Sequence, residues 1–246
     1  MPKRQRPPKA YKNIPFLNSA DARTIRILSE YYEPLARFKK HKIKNSIVFF
    51  GSARAGSQDT NQNLHNYYQD AESLAKMLTE WSISREDGKQ HYYICSGGGP
   101  GIMEAANKGA SMAGGKSIGL NISIPMEQYP NDYITEDLMF EFHYFFIRKF
   151  WFMYLAKAMV IFPGGFGTMD ELFEAITLIQ TKKITKPLPI VIFGRDYWDN
   201  VLNLDTMIKY GTIDDDEKHL LYFSDTVDDT FNYLINRLDG RDQANS

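Results

Sequence analysis

Six short strand-like runs alternate with helix-patterned segments along this chain, at residues 46–50, 92–95, 116–124, 138–142, 158–162 and 188–193. The spacing of apolar residues predicts helices over 20–40, 65–81, 100–113, 144–157, 168–180, 197–209 and 226–238. Strands that read as continuous apolar runs are buried on both faces, and that requires helices covering both sides of a parallel sheet. Neither an internal repeat nor an interdomain linker interrupts the pattern. The expectation is therefore an α/β chain with a single-domain, Rossmann-like, doubly wound parallel sheet over residues 43–246. Residues 1–42 form a basic arm and an amphipathic helix ahead of it.

Charge sharpens this division. The 246 residues carry 29 Lys+Arg against 30 Asp+Glu, which excludes the overall basic footprint of a dedicated nucleic-acid binder. The balance is uneven, however. Residues 1–44 hold twelve Lys/Arg against three Asp/Glu, a net of +9, so the remaining 202 residues stand at −10. A solvated tail is the simpler reading of the arm, and contact with phosphates or a neighbouring subunit is the other. No apolar segment follows the arm as a targeting sequence would require. The most lipid-like stretch, residues 144–162, is interrupted by Arg148, Lys149 and Lys157. A cytoplasmic protein without membrane contact is expected. A single cysteine, Cys95, excludes intrachain disulfides and reads as a core residue. The five histidines show no metal-ligand spacing.

In open parallel sheets, ligands bind outside the carboxyl ends of the strands, and glycine clusters fall at three such ends. Gly51-Ser52 follows the first run. Ser96-Gly97-Gly98-Gly99-Pro100-Gly101 follows the second, with Pro100 suited to the first helical position. Pro163-Gly164-Gly165-Phe166-Gly167-Thr168-Met169-Asp170-Glu171 follows the fifth. Glycines that open a helix let backbone N–H groups approach an anion. Each turn also has a purely structural explanation. The first helix-opening cluster could be a tight turn needing positive φ. In the second, Thr168 and Glu171 have capping-box spacing, which stabilises a helix start without any ligand. Two such turns in one sheet favour phosphate over either explanation alone.

Two common nucleotide fingerprints fail. The dinucleotide pattern would need glycine where Ile102 or Asp170 stands, and Gly115-Lys116-Ser117 has Ala110 at the P-loop glycine position. There is no nucleophile elbow for a hydrolase serine. Arg148-Lys149 sits inside a helix crowded with Tyr144, Phe145, Phe146, Phe150, Trp151, Phe152 and Tyr154. These rings cannot all enter one core, so part of this helix is expected to be interface or pocket wall.

Gly51-Ser52, the Gly97-Gly98-Gly99 turn, Arg148-Lys149 and the Pro163 to Glu171 segment, in that order, resemble the LONELY GUY family of nucleoside 5′-monophosphate phosphoribohydrolases, also called "possible lysine decarboxylase". The resemblance runs from about Ile43 to Leu238. It implies hydrolysis of the N-glycosidic bond of a purine nucleotide, such as a cytokinin riboside 5′-monophosphate or AMP, to free base and ribose 5-phosphate. Carried over by position, it implies that Arg148 and Glu171 are the catalytic pair. It further implies that Ser52, Gly97, Gly98, Gly99, Glu127, Lys149, Gly164, Gly165, Gly167, Thr168 and Thr177 bind the nucleotide. Glu127 lies in a loop that differs in length and sequence from plant-type members. The resemblance implies no cofactor and no metal, and at least a homodimer; the residues show no lysine context for pyridoxal phosphate. Two other classes stay open: a non-catalytic nucleotide- or cofactor-binding carrier, and a DNA-processing protein resting only on the basic arm.

Overall fold

A computed structural model of the chain describes residues 6–56, 62–85, 88–124 and 129–242. Seven strands, β1 (Ser46–Phe50), β2 (Tyr93–Ser96), β3 (Ser117–Ile122), β4 (Met139–Phe142), β5 (Ala156–Ile161), β6 (Ile190–Phe193) and β7 (Leu221–Ser224), pair in the order β4-β3-β2-β1-β5-β6-β7. Every pairing is parallel. The chain winds outward from β1 through β2, β3 and β4, then returns to β5 on the other side of β1. The switch point is the crevice between the carboxyl ends of β1 and its neighbours, where the doubly wound topology places a ligand. Among the described residues, no helix is long and apolar enough to cross a membrane.

Alternation along the central strand divides the core. Ile47 and Phe49 face α3 (Gln62–Ile83), α4 (Ile102–Met112) and α9 (Val227–Asp242) through Leu74, Ala105 and Leu234. Val48 and Phe50 face the opposite layer, with α2 (Arg23–Lys40), α5 (Phe145–Leu155) and α6 (Phe166–Gln180) contributing Phe38, Trp151, Phe152 and Leu172. Full burial of such a side chain contributes about 1.5–3 kcal/mol, so both layers are needed to fix the sheet.

α2 grips the element that carries Arg148-Lys149. The Glu30 carboxylate accepts from the backbone N–H of His143 (2.9 Å) and of Tyr144 (3.1 Å), and the Glu30 carbonyl accepts from Trp151 Nε1 at 3.1 Å. The Tyr144 side chain makes no capping bond to α5. A carboxylate at this helix start is favoured by the positive end of the dipole as well as by the two hydrogen bonds.

Several elements depart from the sequence expectation. β7 was not anticipated: four residues after an acidic stretch carry too little periodicity, and the preceding Asp214–Glu217 pair forms a capping box instead. The helix expected over 197–209 is two, α7 (Arg195–Val201) and α8 (Leu204–Lys209), because Asn203 caps a fresh start through Thr206 N–H. The arm is not all tail; α1 (Ile14–Leu17) begins at an Asn13 cap. α5 stops at Leu155 and β5 begins at Ala156, two residues earlier than the apolar run suggests.

Replacing Glu30 with Ala removes two charge-assisted bonds at the start of α5. The expected loss is about 1–3 kcal/mol of stability, read as a lower urea midpoint at unchanged slope. An unchanged midpoint would show that α2 does not support α5.

Candidate active site

Three strand ends meet at Ser52. Its backbone N–H donates to the Pro163 carbonyl (2.9 Å), and its own carbonyl accepts from Ile102 N–H at 3.1 Å. The turn after β1 is thereby tied to the turn after β5 and to the start of α4. Its Oγ accepts from Arg54 N–H at 3.1 Å. Close approach is allowed by glycine: Gly101 has φ +71°, and a Cβ there would overlap the Ser52 carbonyl oxygen. Gly101 is also the N-cap of α4, so Pro100 lies two residues before the first helical position expected for it.

The second-strand turn is held from behind by asparagines. Asn131 Nδ2 donates toward the carbonyls of Gly98 and Gly99 and toward Asn107 Oδ1, each at 3.0 Å. Ser96 Oγ donates to the same Asn107 oxygen (2.7 Å) and accepts from Gly98 N–H (3.0 Å). The Gly98 N–H is thus occupied within the turn, and Gly98, at φ +75°, is packed against Asn121. Gly97 is packed under Met103 and close to Arg148: a Cβ there would sit 2.7 Å from Met103 Sδ and 3.4 Å from Arg148 Nη2. Asn107, Asn121 and Asn131 were not anticipated, because their spacing matches no motif and only the fold brings them together.

The fifth-strand turn is arranged differently. α6 starts at Phe166 with Gly165 as its N-cap, and no side chain caps it. Thr168 therefore lies inside the first turn, and the capping box with Glu171 expected as the structural explanation does not form. The Thr168 side chain packs on Gly164, whose carbonyl accepts from Tyr197 OH at 2.8 Å. Gly165 and Gly167 are exposed, and a Cβ at either would meet open space. The first-turn N–H groups of α6 thus point to an accessible helix N-terminus, which suits an anion.

Glu171 and Arg148 lie beside this start. Glu171 is 4% exposed. Arg148 Nη2 stands 3.9 Å from Glu171 Oε1, an ion pair too long to be a hydrogen bond. Glu171 Oε2 and Arg148 Nε are buried without a hydrogen-bond partner. Burial pushes the Glu171 carboxyl up to about 7, against the opposing pull of Arg148 and Lys149. Burial also lowers the Arg148 pKa, while Glu171 works the other way. The guanidinium stacks over the Phe152 ring, 5.2 Å from its centroid, which holds its plane. The Cys95 thiol is fully buried and pushed up by desolvation, so it is no nucleophile at neutral pH.

Lys149 turns to the neighbouring flank of α6, still near enough to act on the Glu171 carboxyl. Its Nζ pairs with Asp170 Oδ2 (2.8 Å) and Glu174 Oε2 (2.9 Å). Burial works against the ammonium, but these two carboxylates outweigh it and its pKa is raised. Lys149 and Thr177 border one open cleft of about 510 Å³ with Phe146 and Phe173. Thr177 is therefore placed with Lys149, not with the buried Arg148–Glu171 pair. Glu127 lies outside the described residues. Of the aromatic helix, Tyr144, Trp151 and Phe152 are buried, whereas Phe145, Phe146, Phe150 and Tyr154 are exposed. No cluster of three His, Cys, Asp or Glu side chains able to hold a metal occurs among the described residues.

Comparison with known proteins follows the same segment. The family described as possible lysine decarboxylase matches residues 103–234, more than half of the chain. The pyrimidine/purine nucleotide 5′-monophosphate nucleosidase of Escherichia coli (strain K12) is 29% identical over 121 residues, 46% of this chain but only 26% of that enzyme. The match therefore spans about a quarter of that relative's length. The cytokinin riboside 5′-monophosphate phosphoribohydrolase LOG of Oryza sativa subsp. japonica is 25% identical over 198 residues, covering 77% of this chain and 72% of that one. Among solved structures, the Moco carrier protein from Chlamydomonas reinhardtii superposes with a TM-score of 0.52 at 20% identity, over 80% of this chain and 99% of that chain. That likeness is one of fold.

The two kinds of glycine separate experimentally. Gly101→Ala, strained in φ and overlapping Ser52, costs about 1–3 kcal/mol or more. Gly165→Ala, in open space at negative φ, changes stability by less than about 0.5 kcal/mol. Equal melting temperatures for the two variants would contradict this account of the turns.

Proposed function

The chain belongs to the possible lysine decarboxylase family, named LONELY GUY for its phosphoribohydrolases, and on that footing we propose that it hydrolyses the N-glycosidic bond of purine nucleoside 5′-monophosphates to free base and ribose 5-phosphate. The observation that carries this reading is the buried Glu171–Arg148 pair, with unpartnered polar atoms, beside an uncapped helix N-terminus. A phosphate on the N–H groups of the first turn of α6 sets the ribose at a fixed distance from Glu171, one turn further along. Glycosidic cleavage passes through an oxocarbenium-like state. The Glu171 carboxylate stabilises that charge and takes a proton from the attacking water, whose hydroxyl bonds to the anomeric carbon, while the base leaves with the electron pair of the broken bond and takes up a proton from solvent. Arg148, lying over Phe152, stands 3.9 Å from the carboxylate's near oxygen as an ion-pair partner and leaves the far one for water. Ser52 and the Gly97 to Gly99 turn form the floor, and the phosphate supplies binding energy remote from the reacting bond.

The resting protonation state gives this mechanism a pH signature. The active form is the carboxylate, and its proton leaves near pH 7 in the free protein. Activity measured as kcat/KM is expected to fall about tenfold per pH unit below that point and to level above it. A flat profile between pH 5 and 8 would remove Glu171 from the role of base.

Two features extend the proposal to assembly. The exposed Phe145, Phe146, Phe150 and Tyr154 form an apolar face on α5, and Phe173 and Thr177 stand beside it on α6. A homodimer through this face would bury the rings and bring Thr177 toward a neighbouring subunit's cleft. A cytoplasmic location fits the same reading.

The decisive assay follows base release by chromatography from a panel of nucleoside 5′-monophosphates and matching nucleosides. Monophosphates are expected to be cleaved and nucleosides not, and Glu171→Gln is expected to lower turnover about 10²–10⁴-fold. Equal cleavage of nucleosides would defeat the phosphate argument. Near-normal turnover by the variant would defeat the assignment of Glu171. Saturable monophosphate binding with no base released would instead identify a carrier.

A further inference from the structure

At the amino ends of the strands, opposite the candidate active site, lies a second cleft of about 820 Å³. It opens between the end of α2, the loops entering β1 and β2, and the turn entering β3. Five lysines line it: Lys39, Lys42, Lys44, Lys89 and Lys116, together with His41 and His91. The described lining residues include no Asp or Glu. Among the described residues, Asp137 is a carboxylate close to this rim, and it is engaged by Lys40 (2.9 Å) and His41 (2.9 Å). Lys39, Lys42, Lys44 and Lys116 are exposed and make no ion pair among the described residues.

Helix dipoles account for part of this charge. α2, α3 and α4 all end here, and each C-terminus carries roughly half a negative charge. Three helix ends therefore balance about 1.5 positive charges, short of the four lysines, Lys39, Lys42, Lys44 and Lys116, that make no ion pair among the described residues. The surplus is notable in a chain whose net charge is −1. Lys42 even occupies the left-handed region, φ +56°, where glycine is the usual residue after a helix. The cleft has an apolar floor as well, from Phe38, Ile43, Ile83 and Tyr93. Its size falls in the range of small-molecule sites.

We propose that this cleft binds a small, phosphate-dense anion, an organic molecule carrying two or more phosphoryl groups, at a site separate from the Arg148–Glu171 pair. The phosphates would lie among Lys42, Lys44 and Lys116, and the organic part against Phe38 and Tyr93. The β1 strand and its flanking residues, at about 3.3 Å per residue, set the two sites on the order of 20 Å apart. The charge and shape of this cleft are independent of the reaction at the other site.

Inorganic tripolyphosphate is the probe, titrated by calorimetry into the full chain in about 0.1 M salt, where longer-range attraction is screened. Saturable binding of one equivalent per chain is expected. The triple variant Lys42→Gln, Lys44→Gln, Lys116→Gln should weaken it about tenfold or more, the scale of three exposed ion pairs. Lys116→Gln alone should move it in the same direction with the melting temperature unchanged. Arg148→Ala should bind as the parent does. Absence of saturable binding, indifference to the lysine changes, or loss of binding in Arg148→Ala would each overturn the proposal. So would tight binding of a single-stranded oligonucleotide without binding of tripolyphosphate, which would mark a nucleic-acid surface.

Discussion

Two backbone hydrogen bonds made by Ser52 hold the site together. One reaches the Pro163 carbonyl after β5 and the other the Ile102 N–H at the start of α4. Parallel pairing of β1 with both β2 and β5 brings these turns to one edge of the sheet. The hydrogen bonds then fix their separation. Gly101 is the condition for this, because any side chain there would displace the Ser52 carbonyl. The two glycine-rich turns consequently divide the work. The one after β2 is spent on structure, with its carbonyls and one N–H taken by Asn131 and Ser96. The one after β5 leaves its helix start open.

Burial then sets the chemistry. A carboxyl group on the surface would stay ionised well below neutrality and attract solvent instead of substrate. Glu171 is withdrawn from water on α6, and Arg148 approaches without closing on it. Desolvation outweighs the neighbouring cation and moves the group toward neutral pH, where a base is most effective. The Phe152 ring lies beside the Arg148 guanidinium, and α2 clamps the helix through Glu30.

Much of this was legible in the sequence, for physical reasons. Continuous apolar runs such as 46–50 can be satisfied only by burial on both faces, so the doubly wound sheet followed from pattern alone. The glycine turns and Arg148 stood out because they break the apolar pattern at strand ends or inside a helix, whereas the pairing of Arg148 with Glu171 came only from the family resemblance. Competing local signals misled in two places. Thr168 and Glu171 have the spacing of a cap, but the helix starts earlier at Phe166, so no capping box forms. Pro100 resembled a first helical residue, yet the turn needed Gly101 as the cap. β7 and the Asn107–Asn121–Asn131 network had no local signature, since each depends on contacts across the fold. The separation of Lys149 and Thr177 from the buried pair is likewise a matter of helix rotation that adjacency in sequence conceals.

The central claim is that the fold holds Glu171 as a carboxyl group that changes charge near neutral pH. Carbon-13 NMR of the side-chain carboxyl carbons, with Glu171 assigned by the signal missing in Glu171→Gln, measures this without reference to any substrate. The account predicts a midpoint near 7. A midpoint at the ordinary glutamate value of about 4.3 would contradict it.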